Sequence, residues 1–139
     1  MKAFDTDVLT EILLGDPAYV ARAATILLHE QTVPVVVIEE LLRGRLQVIR
    51  QAEAGQAKVS LPRAYDLFEQ TLRDVHQVRV LSYTPQAEAL YQQWRQQRLR
   101  IGTHDVRIAA ICVAHAATII SRNRRDFTQV PGLQVEFWD

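Results

Sequence analysis

The stretch Lys2–Leu13, KAFDTDVLTEIL, changes its periodicity at Asp5. Residues 2–5 read as a short strand, and beyond them Val8, Ile12 and Leu13 recur at the spacing of one helix face. Asp5 and Asp7 therefore flank Thr6 where strand gives way to helix. In open α/β sheets ligands bind beyond the carboxyl ends of strands, which is where such a junction lies. Asp7 suits a helix cap as well as a ligand, because a short acidic side chain accepts from the free N–H groups of a first turn. The segment alone leaves two candidate acids.

Working outward, the alternation continues. Gly15 ends the first helix, while Asp16 caps and Pro17 opens a second that runs to about His29. TVPVVVI (32–38) is short and β-branched and reads as a buried strand, with EELLRGRLQVIRQAEAG (39–55) as the helix after it. Ser60 caps a helix over 60–77 with Pro62 in its first turn, and VRVLSY (78–83) is a third strand. Thr84 and Pro85 open a helix over 84–100, and Thr103 caps an alanine-rich one within 101–117. TIIS (118–121) is a strand, RNRRDFTQVPG (122–132) a polar loop and LQVEFW (133–138) a terminal strand. Short apolar strands joined by helical crossovers predict one α/β domain over 1–139, a three-layer α/β/α sandwich around a mainly parallel sheet of about five strands.

Composition narrows the function classes. The chain has 139 residues, 48% of them hydrophobic, with 16 basic and 16 acidic side chains. Net neutrality excludes a bulk polycation or an acidic tail, so any charge-based function must come from local segregation. Lys2 and Lys58 are the only lysines; every other base is arginine, which suits bidentate contacts to phosphate or carboxylate. Cys112 is the only cysteine, which excludes intrachain disulfides and cysteine metal clusters, and its small apolar surroundings predict a buried thiol. No apolar run reaches the ~18 residues of a spanning helix and no signal-peptide pattern opens the chain, so a cytoplasmic protein is expected.

Under the parallel reading the acids at strand exits converge. Asp5 ends the first strand, Glu40 follows the second, Asp105 opens the helix leading to the fourth, and Asn123 and Asp126 follow the fourth. Asp105 also suits a helix N-terminus on dipole grounds alone. Glu39 and Glu40 point about 100° apart on a helix, so only one faces a pocket, and spacing does not choose between them. Clustered carboxylates repel unless a cation is bound, and hard oxygen donors without cysteine or paired histidine favour Mg²⁺ or Mn²⁺ over Zn²⁺. Such ions activate water and clamp phosphodiesters, which points to a metal-dependent nuclease.

Together these residues resemble a PIN domain, and more narrowly a VapC-type toxin ribonuclease of a toxin-antitoxin pair, over nearly the whole chain. FDTDVLTEIL (4–13) is similar to the family's L-D-T-N-V-L-S-E-L start, and VVVIEELLRG (35–44) to its S-x-I-T-x-x-E-L-x-x-G segment. IGTHDVRIAAICVAHAATIISRNRRDF (101–127) is similar to I-G-x-x-D-x-x-I-A-A…T-x-x-T-x-N-x-x-D-F, the most specific of the matches, and VPGLQVEFW (130–138) to the family's ending. The resemblance implies a metal-binding and catalytic set of Asp5, Glu40 (counted back from Gly44), Asp105 and Asn123, with Asp126 the next acid along. Asp7 stands where relatives usually have Asn, and an amide at Asn123 ligates more weakly than a carboxylate. Thr6 and Ser121 flank the acids and are expected to orient them. RNA is the implied substrate, Mg²⁺ or Mn²⁺ the cofactor, and a cognate VapB-like antitoxin and a second copy of the chain the implied partners. Arg122, Arg124, Arg125, Arg43 and Arg107 are the expected RNA contacts, with His104, which replaces the family's usual Asn or Asp. Two other readings compete. A PIN-like scaffold without activity would only bind RNA or protein. A phosphoacceptor receiver domain is excluded, because the third strand ends without an acceptor Asp and no lysine follows Lys58.

Overall fold

The computed structural model describes Met1–Asp139. Five strands, β1 (Lys2–Phe4), β2 (Gln31–Pro34), β3 (Val80–Leu81), β4 (Thr118–Ser121) and β5 (Val135–Phe137), form one sheet in the order β3-β2-β1-β4-β5. Every pairing is parallel; Ala3 lies opposite Thr32 on one side and Ile119 on the other. Seven helices flank the sheet: α1 (Thr6–Leu13), α2 (Pro17–Ala24), α3 (Val35–Glu53), α4 (Leu61–His76), α5 (Pro85–Gln96), α6 (Thr103–Ala114) and α7 (Arg124–Phe127). This is the expected α/β/α architecture. The chain leaves β1 for β2 and β3 on one side, then crosses to β4 and β5 on the other, so the switch point lies between β1 and β4.

Short buried strands need a close-packed cover, and α6 supplies it. Val106, Ile108, Ala109, Ala110, Ile111 and Cys112 are all buried, and the alanines let the helix approach the sheet. The Cys112 thiol is pushed up to about 12 by that burial and is an inert core group. No helix is long and apolar enough to cross a membrane.

Several boundaries differ from the sequence reading. β2 stops at Pro34, and VVVI opens α3 instead of ending a strand. Tertiary burial overrides β-propensity here: Val36 and Val37 are buried on the inner face of the helix. α2 ends at Ala24, where the Thr25 hydroxyl donates to Arg22 O at 2.7 Å, and a 3-10 turn over Leu28–Glu30 follows. α5 and α6 end earlier than their alanine- and glutamine-rich tails suggest. Arg98 and Ala116 turn left-handed at φ 59 and 54, and Leu99 N–H donates to Trp94 O and Ala117 N–H to Cys112 O, closing both helices as glycine usually does. The polar loop also contains α7, and Thr103 is the first residue of α6 rather than its cap, which falls at Gly102.

Candidate active site

The site is built on backbone that the sheet has already fixed. Asp5 N–H donates to Ile120 O at 3.0 Å, continuing the β1–β4 ladder one residue past the strand, and the chain then turns into α1. Asp5, not Asp7, is the N-cap of that helix: its Oδ1 accepts from Thr6 N–H at 2.8 Å. Its Oδ2 accepts from the Ser121 hydroxyl at 2.6 Å. Ser121 is fully buried at the end of β4, and its oxygen in turn accepts from Asn123 N–H at 3.0 Å. The first and fourth strands are thus joined at their carboxyl ends through one hydroxyl.

Around this junction lies a cleft of about 400 Å³ lined by Asp5, Thr6, Asp7, Glu40, Asp105, Arg122 and Asn123, with no hydrophobic side chain among them. The helix register of α3 settles the choice that spacing left open. Glu40 faces the cleft and accepts from the Thr6 hydroxyl at 2.6 Å, whereas Glu39 pairs with Arg43 at 2.8 Å. Asn123 caps α7: its Oδ1 accepts from Asp126 N–H at 3.3 Å. Its Nδ2 points to Asp105 Oδ2 at 3.4 Å and Asp126 Oδ2 at 3.1 Å. That orientation keeps the amide oxygen away from the two carboxylates. Asn123 therefore presents a donor to the acids and spends its acceptor on a helix. Asp126 stands behind it, outside the cleft lining.

Burial and mutual repulsion leave the acids short of positive charge. Desolvation raises the Asp105 carboxyl to about 6, with Asp5, Glu40, Asp126 and Asp7 adding repulsion. Asp5, only 6% exposed, is also raised by desolvation, against which the Ser121 and Thr6 hydrogen bonds pull it down. A donor set of oxygens alone, with carboxylates held above their ordinary range, fits a hard divalent cation. No three acid or imidazole side chains close into a ready cage.

The basic residues divide sharply. Arg122 alone lines the cleft, loosely held: 4.0 Å from Asp7, 3.9 Å from Glu11, 3.5 Å from the Tyr19 hydroxyl and 5.7 Å over the Tyr19 ring. Arg124 turns away to pair with Asp139 and lies 4.4 Å over Phe137, and Arg107 lies 5.1 Å over Tyr91. Arg125 is exposed, with no side-chain hydrogen bond to the rest of the protein. His104 sits between the two glutamates, Nε2 3.6 Å from Glu39 and Nδ1 3.7 Å from Glu40. Glu11 and the anchoring role of Tyr19, whose hydroxyl donates to Trp138 O at 2.9 Å, were missed in the sequence. The available signal was the spacing of Glu11 four residues beyond Asp7, which puts both on one face of α1.

The sequence profile of the PIN domain matches residues 2–133. The chain belongs to the PIN domain family. Two ribonucleases are similar to this PIN domain chain. Ribonuclease VapC1 of Rickettsia felis is 44% identical over 39 residues, spanning 28% of this chain and 29% of that protein. Ribonuclease VapC of Rickettsia bellii is 29% identical over 100 residues, 72% of this chain and 70% of that one. Among solved structures, VapBC2 from Rickettsia felis bound to a DNA fragment from their promoter superposes with a TM-score of 0.74 at 19% identity, covering 99% of this chain and 98% of that one. The PIN fold thus extends over essentially the whole chain.

Proposed function

We propose that this PIN domain is a Mg²⁺- or Mn²⁺-dependent endoribonuclease, the toxin of a toxin-antitoxin pair, acting in the cytoplasm. The observation that carries the reading is the placement of Asp5, Glu40 and Asp105 on one polar cleft at the switch point of the sheet. A bound divalent cation would supply a water of lowered pKa and neutralise charge on a phosphate oxygen. Asp5, Glu40 and Asp105 are the residues to hold it, with Asp7 at the mouth. Ser121 fixes the Asp5 carboxylate, Thr6 fixes Glu40, and Asn123 holds Asp105 through its amide N–H. Arg122 is the group placed to receive an RNA phosphate, because its present contacts are long and exchangeable. His104 flanks the path, and Arg43, Arg124 and Arg125 offer sequence-independent phosphate contacts beyond it.

The test is cleavage of single-stranded RNA by purified protein with and without Mg²⁺. Asp5→Asn, Glu40→Gln and Asp105→Asn should each lower the rate at least as far as the ~10–100-fold typical of losing a metal ligand's supporting partner. Wild-type rates in all three variants, with unchanged circular dichroism, would overturn the assignment. A second reading, a PIN scaffold that binds RNA without cutting it, draws support from Asn123, whose carbonyl oxygen is committed to capping α7. Metal-independent RNA binding with no cleavage product would favour it.

The VapBC2 likeness supports a VapB-like antitoxin as partner. So does an apolar groove of about 360 Å³ bordered by Leu9, Ile12, Leu13 and Leu28, where Leu28 is 83% exposed. A second copy of the chain completes the proposed assembly, and sedimentation of the free and antitoxin-bound protein tests both.

A further inference from the structure

A second hollow lies on the same edge of the sheet as the acidic cleft. Val35 and Val36 open α3 directly after β2, and Tyr83 follows β3 by two residues, so the hollow sits beyond the strand pair beside β1. Its volume is about 290 Å³, just below the ~300–1,000 Å³ of small-molecule sites. Glu39, Glu88 and Arg107 complete its walls. Glu39 is next in sequence to Glu40 of the cleft, and His104 bridges the two. The hollow and the cleft are therefore neighbours, with His104 between them.

The polar groups there cluster without closing a full hydrogen-bond network. The Tyr83 hydroxyl is buried beside Glu88 and Arg107, and no well-formed hydrogen bond within the protein satisfies it. Burial and the nearby Glu88 push its pKa up against the opposing pull of Arg107, so it remains a neutral donor. Gln92 Nε2 donates to Glu88 Oε1 at 3.0 Å and leaves the other oxygen open. Arg107 is steadied over Tyr91 at 5.1 Å, and its guanidinium enters no ion pair. Val35 and Val36 give an apolar wall.

We propose that this hollow is a guanine subsite, which selects the base next to the scissile phosphate; the inference rests on the ribonuclease reading above. Guanine is the base that offers both halves of the match. Its N1–H and N2 amine donate to a carboxylate such as Glu88, while O6 and N7 accept from a guanidinium such as Arg107. Adenine lacks O6 and the N2 amine, and pyrimidines lack N7.

The test is a metal-free titration of the full chain with the 5′-monophosphates of guanosine, adenosine, cytidine and uridine, followed by amide ¹H–¹⁵N shifts. The guanosine nucleotide should shift the amides around Tyr83, Glu88 and Arg107 and bind ~5-fold or more tightly than the other three. Glu88→Gln and Tyr83→Phe should each reduce that preference to within ~2-fold while the spectra remain those of a folded protein. Equal affinities, absent shifts, or a preference untouched by both substitutions would overturn the subsite. RNA cleavage is scored separately. A chain that cuts RNA but does not discriminate guanosine loses the subsite alone, and one that discriminates but cuts nothing loses the ribonuclease reading alone.

Discussion

At the scale of single residues, the acids differ in what their surroundings ask of them. Asp105 is the most perturbed, its carboxyl raised from 3.8 to about 6. The folded chain therefore binds more protons than the unfolded one between those values, and stability must fall as pH rises through the interval. Asp105→Asn removes the penalty. In the presence of chelator its melting temperature should exceed that of the wild type above pH 6, and the two should converge below pH 4; a constant offset would contradict the linkage. Because a cation competes with that proton, Mg²⁺ affinity measured calorimetrically should rise as pH passes through about 6. Ser121 plays the opposite part. Ser121→Ala strips the buried Asp5 carboxylate of its 2.6 Å donor and should cost ~1–3 kcal/mol in chemical denaturation. Asp5, Glu40, Asp105 and Asn123 were all legible in the sequence as members of one cluster. Their roles were less so. That Asp5 rather than Asp7 caps α1, and that Asn123 turns its nitrogen to the acids, depends on rotamers that neighbours fix across the chain.

Elements were legible where local chemistry decided them. Asp16, Ser60 and Thr84 cap the helices they were expected to cap, each followed by proline in the first turn. The reading failed where tertiary packing or an unusual turn decided instead. The valines of α3 look like a strand because their β-branched side chains are common to both buried strands and buried helix starts. The ends of α5 and α6 were obscured because Arg98 and Ala116 occupy left-handed positions where glycine normally announces the stop. A left-handed conformation costs a residue with a Cβ ~1–2 kcal/mol. Ala116 is exposed, so Ala116→Gly relieves this without opening a cavity. A net gain of ~0.5–1 kcal/mol in urea denaturation is expected, after the extra chain entropy that glycine loses; destabilisation would show that the αL closure is not strained.

For the molecule as a whole, a parallel reading of five strands is enough to set the acids on one edge, since a parallel sheet sends every strand exit the same way. The strand order itself was not readable, because nothing local states that β1 lies between β2 and β4. At this scale divalent binding and folding are linked. Under the proposed function, millimolar Mg²⁺ should raise the melting temperature of the wild type, by RT ln(1 + [L]/Kd), and leave Asp5→Asn unmoved. An equal shift in both would place the ion elsewhere. The Ser121–Asp5 hydrogen bond spans a sequence separation of 116 residues, and β1 gains its β4 partner only when the chain is nearly complete. Synthesis at ~5–20 residues per second therefore leaves several seconds in which the N-terminal acids exist but the cleft does not. Under the proposed function, the nascent chain stays inactive until the fourth strand has emerged, so a neutralising partner that bound the earlier helices would have time to arrive first.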